Sequence, residues 1–266
     1  MRLHSAAIAA GYRLLAYETL ASTNAQALAL ARRGERAPFW VTARQQTAGR
    51  GRRGNVWVSP PGNLYTTLLL RDPASAQHAP ELSFVIALAV RDAISTCAPT
   101  LRARLALKWP NDVLCDGAKL VGILIESEIV DGKLVVAIGP GVNCRHHPTG
   151  LPYAATDLVA AGVDVSAETL FVALSATTLQ RLAQWRRGEG FDAIRADWLA
   201  CAADINAEMR VRLPGREVSG RGEGMDERGR LLLRLPDGSL QAIAAGDVFP
   251  AANTPDAAAP ETGRAG

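Results

Sequence analysis

Apolar residues recur along this chain in two rhythms, and their alternation predicts a mixed sheet with helices laid against it. Short runs of strand character stand at Tyr12 to Tyr17, Pro38 to Ala43, Asn63 to Leu70 and Leu101 to Leu107, with a fully apolar one at Lys119 to Glu126. Between them, Ala25 to Arg33 is rich in Ala and Leu and stops at Gly34, while Glu81 to Cys97 places Leu82, Val85, Ile86, Ala89, Val90 and Ile94 three and four residues apart. That spacing gathers the apolar side chains on one helical stripe, which the sheet must cover. Ser22 or Thr23 is placed to cap the first helix, and the arginines that close it suit the negative end of its dipole. A turn at Asp131-Gly132 leads into a partner strand from Lys133 to Ile138, expected to end in a glycine-rich loop, Gly139-Pro140-Gly141-Val142-Asn143.

The pattern then loosens. From Arg145 to Val165 the chain reads as mostly irregular, with Tyr153 to Leu158 leading into a short helix; two helices follow, from Ser166 to about Arg187 and from Phe191 to Trp198. After Asn206, turns at Pro214-Gly215, Asp226 to Gly229 and Pro236-Asp237-Gly238 separate short apolar runs, the spacing of a small β-barrel. The expected organisation is α+β: a mixed sheet flanked by helices over residues 1–206 and a barrel over 207–250. A tail at 251–266, rich in Ala, Pro and Gly, has too little to bury and is expected to be disordered.

Chemistry concentrates in one loop, Gly49-Arg50-Gly51-Arg52-Arg53-Gly54. Glycines let backbone N–H groups approach an anion, and arginines at this density repel one another until something negative meets them. The run fits the dinucleotide fingerprint G-x-G-x-x-G, but that motif needs a helix next, and Asn55-Val56-Trp57-Val58-Ser59-Pro60-Pro61 reads as a short strand and a turn. A nucleic-acid patch using Trp57 for stacking is a rival, opposed by a net charge of only +3. A solvated loop without a role is the plainest alternative. A site for a small phosphate or carboxylate fits the composition of the loop best.

Lys119 strengthens that reading. On a two-residue period it shares a face with Val121, Ile123 and Ile125, so its ammonium begins near buried surface and needs an anion, unless it snorkels from the strand end. Gly122, on the other face, invites a bulge or a close approach by a ligand. Lys108-Trp109-Pro110-Asn111-Asp112 ends a strand, and its proline and turn formers are expected to take the chain off the sheet edge. Cys97, Cys115, Cys144 and Cys201 are far apart with no C-x-x-C pair, which fits reduced thiols rather than a zinc site or a disulfide frame. His146-His147 fits an exposed loop. No apolar run approaches the roughly 18 to 20 residues of a membrane span, and no signal peptide is evident at the start, so a cytoplasmic protein is expected.

Taken in order, Ser22-Thr23-Asn24, Gln46-Thr47-Ala48 with the Gly/Arg loop, Trp57, Lys108 to Asp112, Lys119 to Glu126 and Gly139 to Asn143 resemble the motif set of the biotin protein ligases. The resemblance runs from about Tyr12 to Pro250. It implies a catalytic domain of the class II synthetase-like type followed by an SH3-like barrel. It also implies a two-step reaction, in which biotin and ATP give biotinyl-5′-adenylate and pyrophosphate. A lysine of a biotin carboxyl carrier protein, such as that of acetyl-CoA carboxylase, then takes the biotin. Two anions must meet, so the site needs cations that offset their repulsion.

By this resemblance Lys119 and Arg50 are the catalytic cations. Biotin would be held by Ser22, Thr23, Asn24 and Gln46, with Gly49, Gly122 and Gly139 allowing close approach and Arg50, Arg52 and Lys119 meeting its carboxylate. ATP and the adenylate would lie against Arg50, Arg52, Arg53 and Trp57, with Lys108, Asn111, Asp112, Lys119 and Asn143 nearby. Mg²⁺ would arrive on the ATP phosphates without a dedicated protein site. Asn55-Val56 departs from the basic pair usual before the tryptophan. About a dozen residues before Tyr12 are too few for a DNA-binding domain, so an enzyme that binds neither DNA nor membrane is expected. A homodimer through an exposed strand edge is reasonable. The rivals are a lipoate or octanoate ligase or transferase of the same fold and, from another class, a silent ligand- or nucleic-acid-binding module.

Overall fold

The computed structural model describes residues 1–250; the tail expected at 251–266 lies outside the described residues. Among the described residues the chain forms two compact units, one of Met1–Ala203 with Glu227–Gly229, the other of Asp204–Asp226 with residues 230–250.

In the first unit, α1 (Ser5–Ala9), β1 (Arg13–Leu20), α2 (Thr23–Arg32), β2 (Phe39–Gln46), β3 (Leu64–Arg71) and α3 (Leu82–Cys97) come first. Then follow β4 (Leu105–Lys108), β5 (Asp112–Cys115), β6 (Ala118–Val130), β7 (Lys133–Val142), α4 (Ala167–Trp185) and α5 (Phe191–Leu199). The seven strands make one mixed sheet in the order β1-β2-β3-β7-β6-β5-β4, with only the β1–β2 pair parallel. Side chains alternate across it. Phe39, Val41, Val135 and Ala137 point to one face, where Ala27, Leu28 and Ala31 of α2 cover them. Trp40 points to the other, where it meets Phe171 of α4 edge-on at 5.4 Å. The longer helices α3 and α4 pack together on that second face, so the α2 face is only partly covered and the sheet stays open beyond the start of α2.

Four sequence expectations change here. The Gly139-Pro140-Gly141 stretch is not a loop but the last part of β7, paired with β6 through Leu124↔Gly139 and Gly122↔Gly141. The turn at Trp109 to Asn111 does not take the chain off the sheet: it returns it as β5, with Lys108 opposite Asp112. The strand expected from Leu101 begins only at Leu105, after a helical turn at Pro99–Leu101. Ala155 bridges to Lys119 in parallel where β7 has ended, and the short helix expected to follow is a turn beginning at Leu158.

The second unit is an antiparallel sheet in the order β11-β10-β9-β8-β12, built from β8 (Glu208–Leu213), β9 (Arg216–Met225), β10 (Leu231–Arg234), β11 (Leu240–Ile243) and β12 (Asp247–Pro250). Alternate residues Met209 and Val211, then Leu231 and Leu233, are buried, as a one-sided core requires. Sequence reading missed β12 and α1. Among the described residues no helix is long and apolar enough to cross a membrane.

Candidate active site

The open part of the α2 face is floored by glycines. A Cβ on Gly139 would stand 2.3 Å from Asn24 Oδ1, one on Gly141 2.7 Å from Trp57 Nε1, and one on Gly122 2.9 Å from Trp57 Cζ3. The three sit side by side on neighbouring strands, so any side chain there would expel what lies above.

Lys119 reaches this same surface, which corrects its expected face. A Cβ on Gly122 would lie 3.3 Å from Lys119 Cε, so the two share a face. The cause is a β-bulge: Val113 pairs with Val121 but Leu114 pairs with Lys119, which leaves Leu120 as the extra residue and breaks the two-residue period. The ammonium sits 2.8 Å from Asp112 Oδ1, an ion pair by distance though not aligned as a hydrogen bond. It also lies 5.7 Å from the Trp57 ring and 5.6 Å from that of Tyr153. Trp57, Tyr153, Lys119, Val56, Leu151 and Asn143 line a pocket of about 50 Å³. Asn143 works partly through its amide, which donates to Thr156 O at 3.0 Å and so holds the segment bridged at Ala155 against β6.

Beside this lies a polar cluster at the start of α2. Ser22 resolves the capping question: its Oγ accepts from Ala25 N at 3.4 Å, so its hydroxyl serves the helix. Thr23 N and Oγ1 both donate to Gln46 Oε1, at 2.8 and 3.1 Å, and Gln46 Nε2 donates to Ser59 Oγ at 3.0 Å. Thr67 Oγ1 lies 2.8 Å from Thr23 Oγ1 and donates to Asn24 Oδ1 at 2.6 Å. Asn24 Nδ2 donates to Leu124 O at 3.3 Å and Glu126 Oε2 at 3.0 Å. Thr23, Asn24 and Thr67 are buried, so this is a rigid array of donors and acceptors rather than a solvated surface.

The Gly/Arg loop closes over one side as a narrow hairpin. Trp57 N donates to Gly49 O at 2.9 Å and Gly51 N to Asn55 O at 2.7 Å. Arg52–Gly54 forms the tip, with Arg53 at φ 54 and Gly54 at φ 77. No helix follows, so the dinucleotide fingerprint fails in structure as it does in sequence. A Cβ on Gly49 would stand 2.4 Å from Trp57 O, so only glycine lets the hairpin stem close. The arginines are not left to repel one another. Arg50 Nη2 lies 3.0 Å from Glu126 Oε1, and Arg52 Nη1 donates to Asn111 Oδ1 at 3.2 Å, while Asn111 Nδ2 donates to Ile123 O at 2.7 Å. Arg53 stands at the exposed tip, and Lys108 closes β4 opposite Asp112.

The structure thus gathers the residues singled out in the sequence, with Ser22 and Asn143 in supporting positions. Sequence reading missed Ser59, Thr67, Glu126, Gly141 and Tyr153. Thr67 was detectable as one of two adjacent threonines inside the largely apolar β3, and Glu126 as a charge closing an apolar run; Ser59 and Tyr153 carry no comparable signal. Among the described residues no cluster of three or more His, Cys, Asp or Glu side chains could hold a metal. His147 Nδ1 instead sits 2.6 Å from Asp157 Oδ2.

All four cysteines are free thiols. Cys144, wholly buried beside Asn143, has its thiol pushed up to about 12, chiefly by burial. It is expected to stay unalkylated by iodoacetamide near neutral pH in the folded protein and to react once urea unfolds the chain, which mass mapping will read.

Residues 18–143 match the model of the Biotin/lipoate A/B protein ligase family, and residues 204–249 that of the Biotin protein ligase C terminal domain. The chain is 44% identical over 237 residues to a biotin–[acetyl-CoA-carboxylase] ligase of Paracoccus denitrificans, covering 86% of this chain and 96% of that one. In structure it is similar to the biotin protein ligase of Aquifex aeolicus in complex with biotin and ATP, with a TM-score of 0.73, 25% identity and coverage of 89% and 97% of the two chains. It is also similar to the biotin protein ligase of Leishmania major in complex with biotinyl-5-AMP, with a TM-score of 0.65, 26% identity and coverage of 88% and 99%.

Proposed function

The chain belongs to the biotin protein ligase family, and from that premise we propose how its site carries out the ligation. Biotin's carboxylate attacks the α-phosphorus of ATP, giving biotinyl-5′-adenylate and pyrophosphate, and an acceptor lysine then attacks the mixed anhydride. The observation that carries the assignment is the meeting, on one glycine-floored sheet face, of a buried neutral array with two cations. Thr23, Asn24, Gln46 and Thr67 offer donors and acceptors in a fixed layout, which suits an uncharged ureido ring. Arg50 and Lys119 stand where the carboxylate and the phosphate must come together.

In this reading Lys119 leaves Asp112 for the reacting oxygens, and Arg50 and Arg52 hold the phosphate side from the hairpin. Trp57 and Tyr153, with Lys119 near both rings, flank the place of the adenine. Asn111 and Asp112 anchor the hairpin and the ammonium respectively, while Lys108, Arg53 and Asn143 border the nucleotide. Ser22 and Gly49 shape the biotin pocket and Gly139 keeps its floor low, while Gly122, expected from the sequence on the biotin side, lies under Trp57 and Lys119 and keeps the nucleotide side open. Mg²⁺ carried on the ATP phosphates, a biotin carboxyl carrier protein as acceptor, and a homodimer formed along β1, an outer strand of the sheet, belong to the same proposal.

Purified protein given ATP, Mg²⁺ and biotin is expected to release pyrophosphate and to label a biotin carboxyl carrier domain. Use of lipoate with biotin ignored, or release of no pyrophosphate, would overturn the reading.

A further inference from the structure

Glu126 lies outside every role given so far, yet two parts of the site meet on it. Its carboxylate takes Arg50 Nη2 at 3.0 Å on Oε1 and 3.1 Å on Oε2, and Oε2 also accepts from Asn24 Nδ2 at 3.0 Å. An ionised carboxylate only accepts, so it fixes which end of the Asn24 amide points to it and turns the carbonyl end towards Thr67. From Asn24 the contacts run through Thr67, Thr23, Gln46 and Ser59, whose Oγ donates to Trp57 O at 2.8 Å. Trp57 N in turn donates to Gly49 O, the residue before Arg50. One run of polar contacts therefore leaves the Gly/Arg hairpin at Arg50, crosses the neutral array and returns to the hairpin at Trp57.

We infer that Glu126 is a positioning residue for the ligation: it sets the Arg50 guanidinium in register with the biotin ring pocket. The inference rests on the ligase reading above. Among the described residues only Nη2 of the Arg50 fork is engaged, by Glu126, which leaves the Nε and Nη1 hydrogens, pointing in different directions in the same plane, to donate to an arriving anion. A guanidinium is a rigid planar fork, so fixing one corner fixes the direction of the others. Without a counter-ion the side chain of Arg50, 46% exposed, would sample solvent, and each turnover would have to order it again. Glu126, at 27% exposure and sharing its oxygens with a buried amide, is itself held in place.

A double-mutant cycle tests this. Glu126→Gln keeps the side chain's shape and an acceptor oxygen for Asn24 but removes the charge that holds Arg50. It is expected to lower kcat for adenylate formation by about tenfold or more while KM for biotin moves less than about threefold. In an Arg50→Ala background the same change should cost less than about twofold, because the group it positions is gone. Should Arg50→Ala turn over too slowly to read, the cycle is run on the dissociation constant of biotinyl-5′-adenylate, which needs no turnover. Equal losses from Glu126→Gln in both backgrounds, or a rise in KM without a fall in kcat, would overturn the inference and leave the ligase reading standing. Absence of adenylate from the unmodified protein would sink both.

Discussion

Replacing Lys119 with Ala is expected to slow biotinyl-adenylate formation by about 10²–10³-fold, the size of effect seen when one preorganised donor to developing charge is removed. The reason lies in what the ammonium is asked to offset. A carboxylate and a triphosphate repel, and the charge that grows at phosphorus must find a cation already in place. In the proposed site Lys119 is the cation at the junction of the two subsites: it shares a face with Gly122, lies near the rings of both Trp57 and Tyr153, and is held by Asp112 at 2.8 Å. The ion pair with Asp112 holds it near its working place before substrate arrives. Loss of the side chain leaves the buried Oδ1 of Asp112 with no ammonium, but Lys119 lines the pocket, so its removal lets water reach that oxygen and the fold should survive. Single-turnover pyrophosphate release, read beside the thermal unfolding midpoint, checks both halves of the expectation. Full activity in Lys119→Ala would remove Lys119 from the centre of the mechanism, whereas a collapse of the unfolding midpoint would assign it to the fold.

The history of Lys119 also shows where sequence reading stops. Its type, its strand and its need for an anion were legible, because a lysine inside an apolar run is costly to leave unpaired. Its face was not. A bulge at Leu120 turns on pairing with β5, and pairing partners are set by the whole sheet rather than by the residues of one strand. The stretch Gly139-Pro140-Gly141 failed for a related reason: glycine and proline signal a loop, and here they are strand residues, the two glycines kept free of side chains because Asn24 and Trp57 lie on them. The order of helices and most strands was readable from periodicity, since that depends on neighbours three or four residues away. What joined the site, Glu126 to Arg50 and Thr67 to Asn24, spans 76 and 43 residues of sequence and has no local signature.

Gly139→Ala is the second substitution expected to have a large effect, and it should strike biotin binding rather than nucleotide binding. The new methyl would stand 2.3 Å from Asn24 Oδ1 and 3.0 Å from its Cγ, closer than any real contact allows. Asn24 cannot simply retreat, for it is 3% exposed and its amide is held at both ends by Thr67, Leu124 and Glu126. Moving it breaks at least one of these bonds and leaves a buried polar group unpaired, at about 1–3 kcal/mol, which corresponds to roughly 5- to 150-fold in biotin affinity if the ring uses this array. Gly122→Ala makes the contrast. Its methyl meets the edge of Trp57 at 2.9 Å and Lys119 Cε at 3.3 Å, on the nucleotide side, so KM for ATP should rise while biotin binding alone changes little. Calorimetric titration of both variants with biotin, then with ATP analogues, separates the two halves of the floor. Biotin affinity unchanged in Gly139→Ala would mean that Asn24 and its array do not hold the ring. The polar cluster at the start of α2 would then be a device for stabilising the fold, and the ureido group would have to be sought elsewhere on the same face.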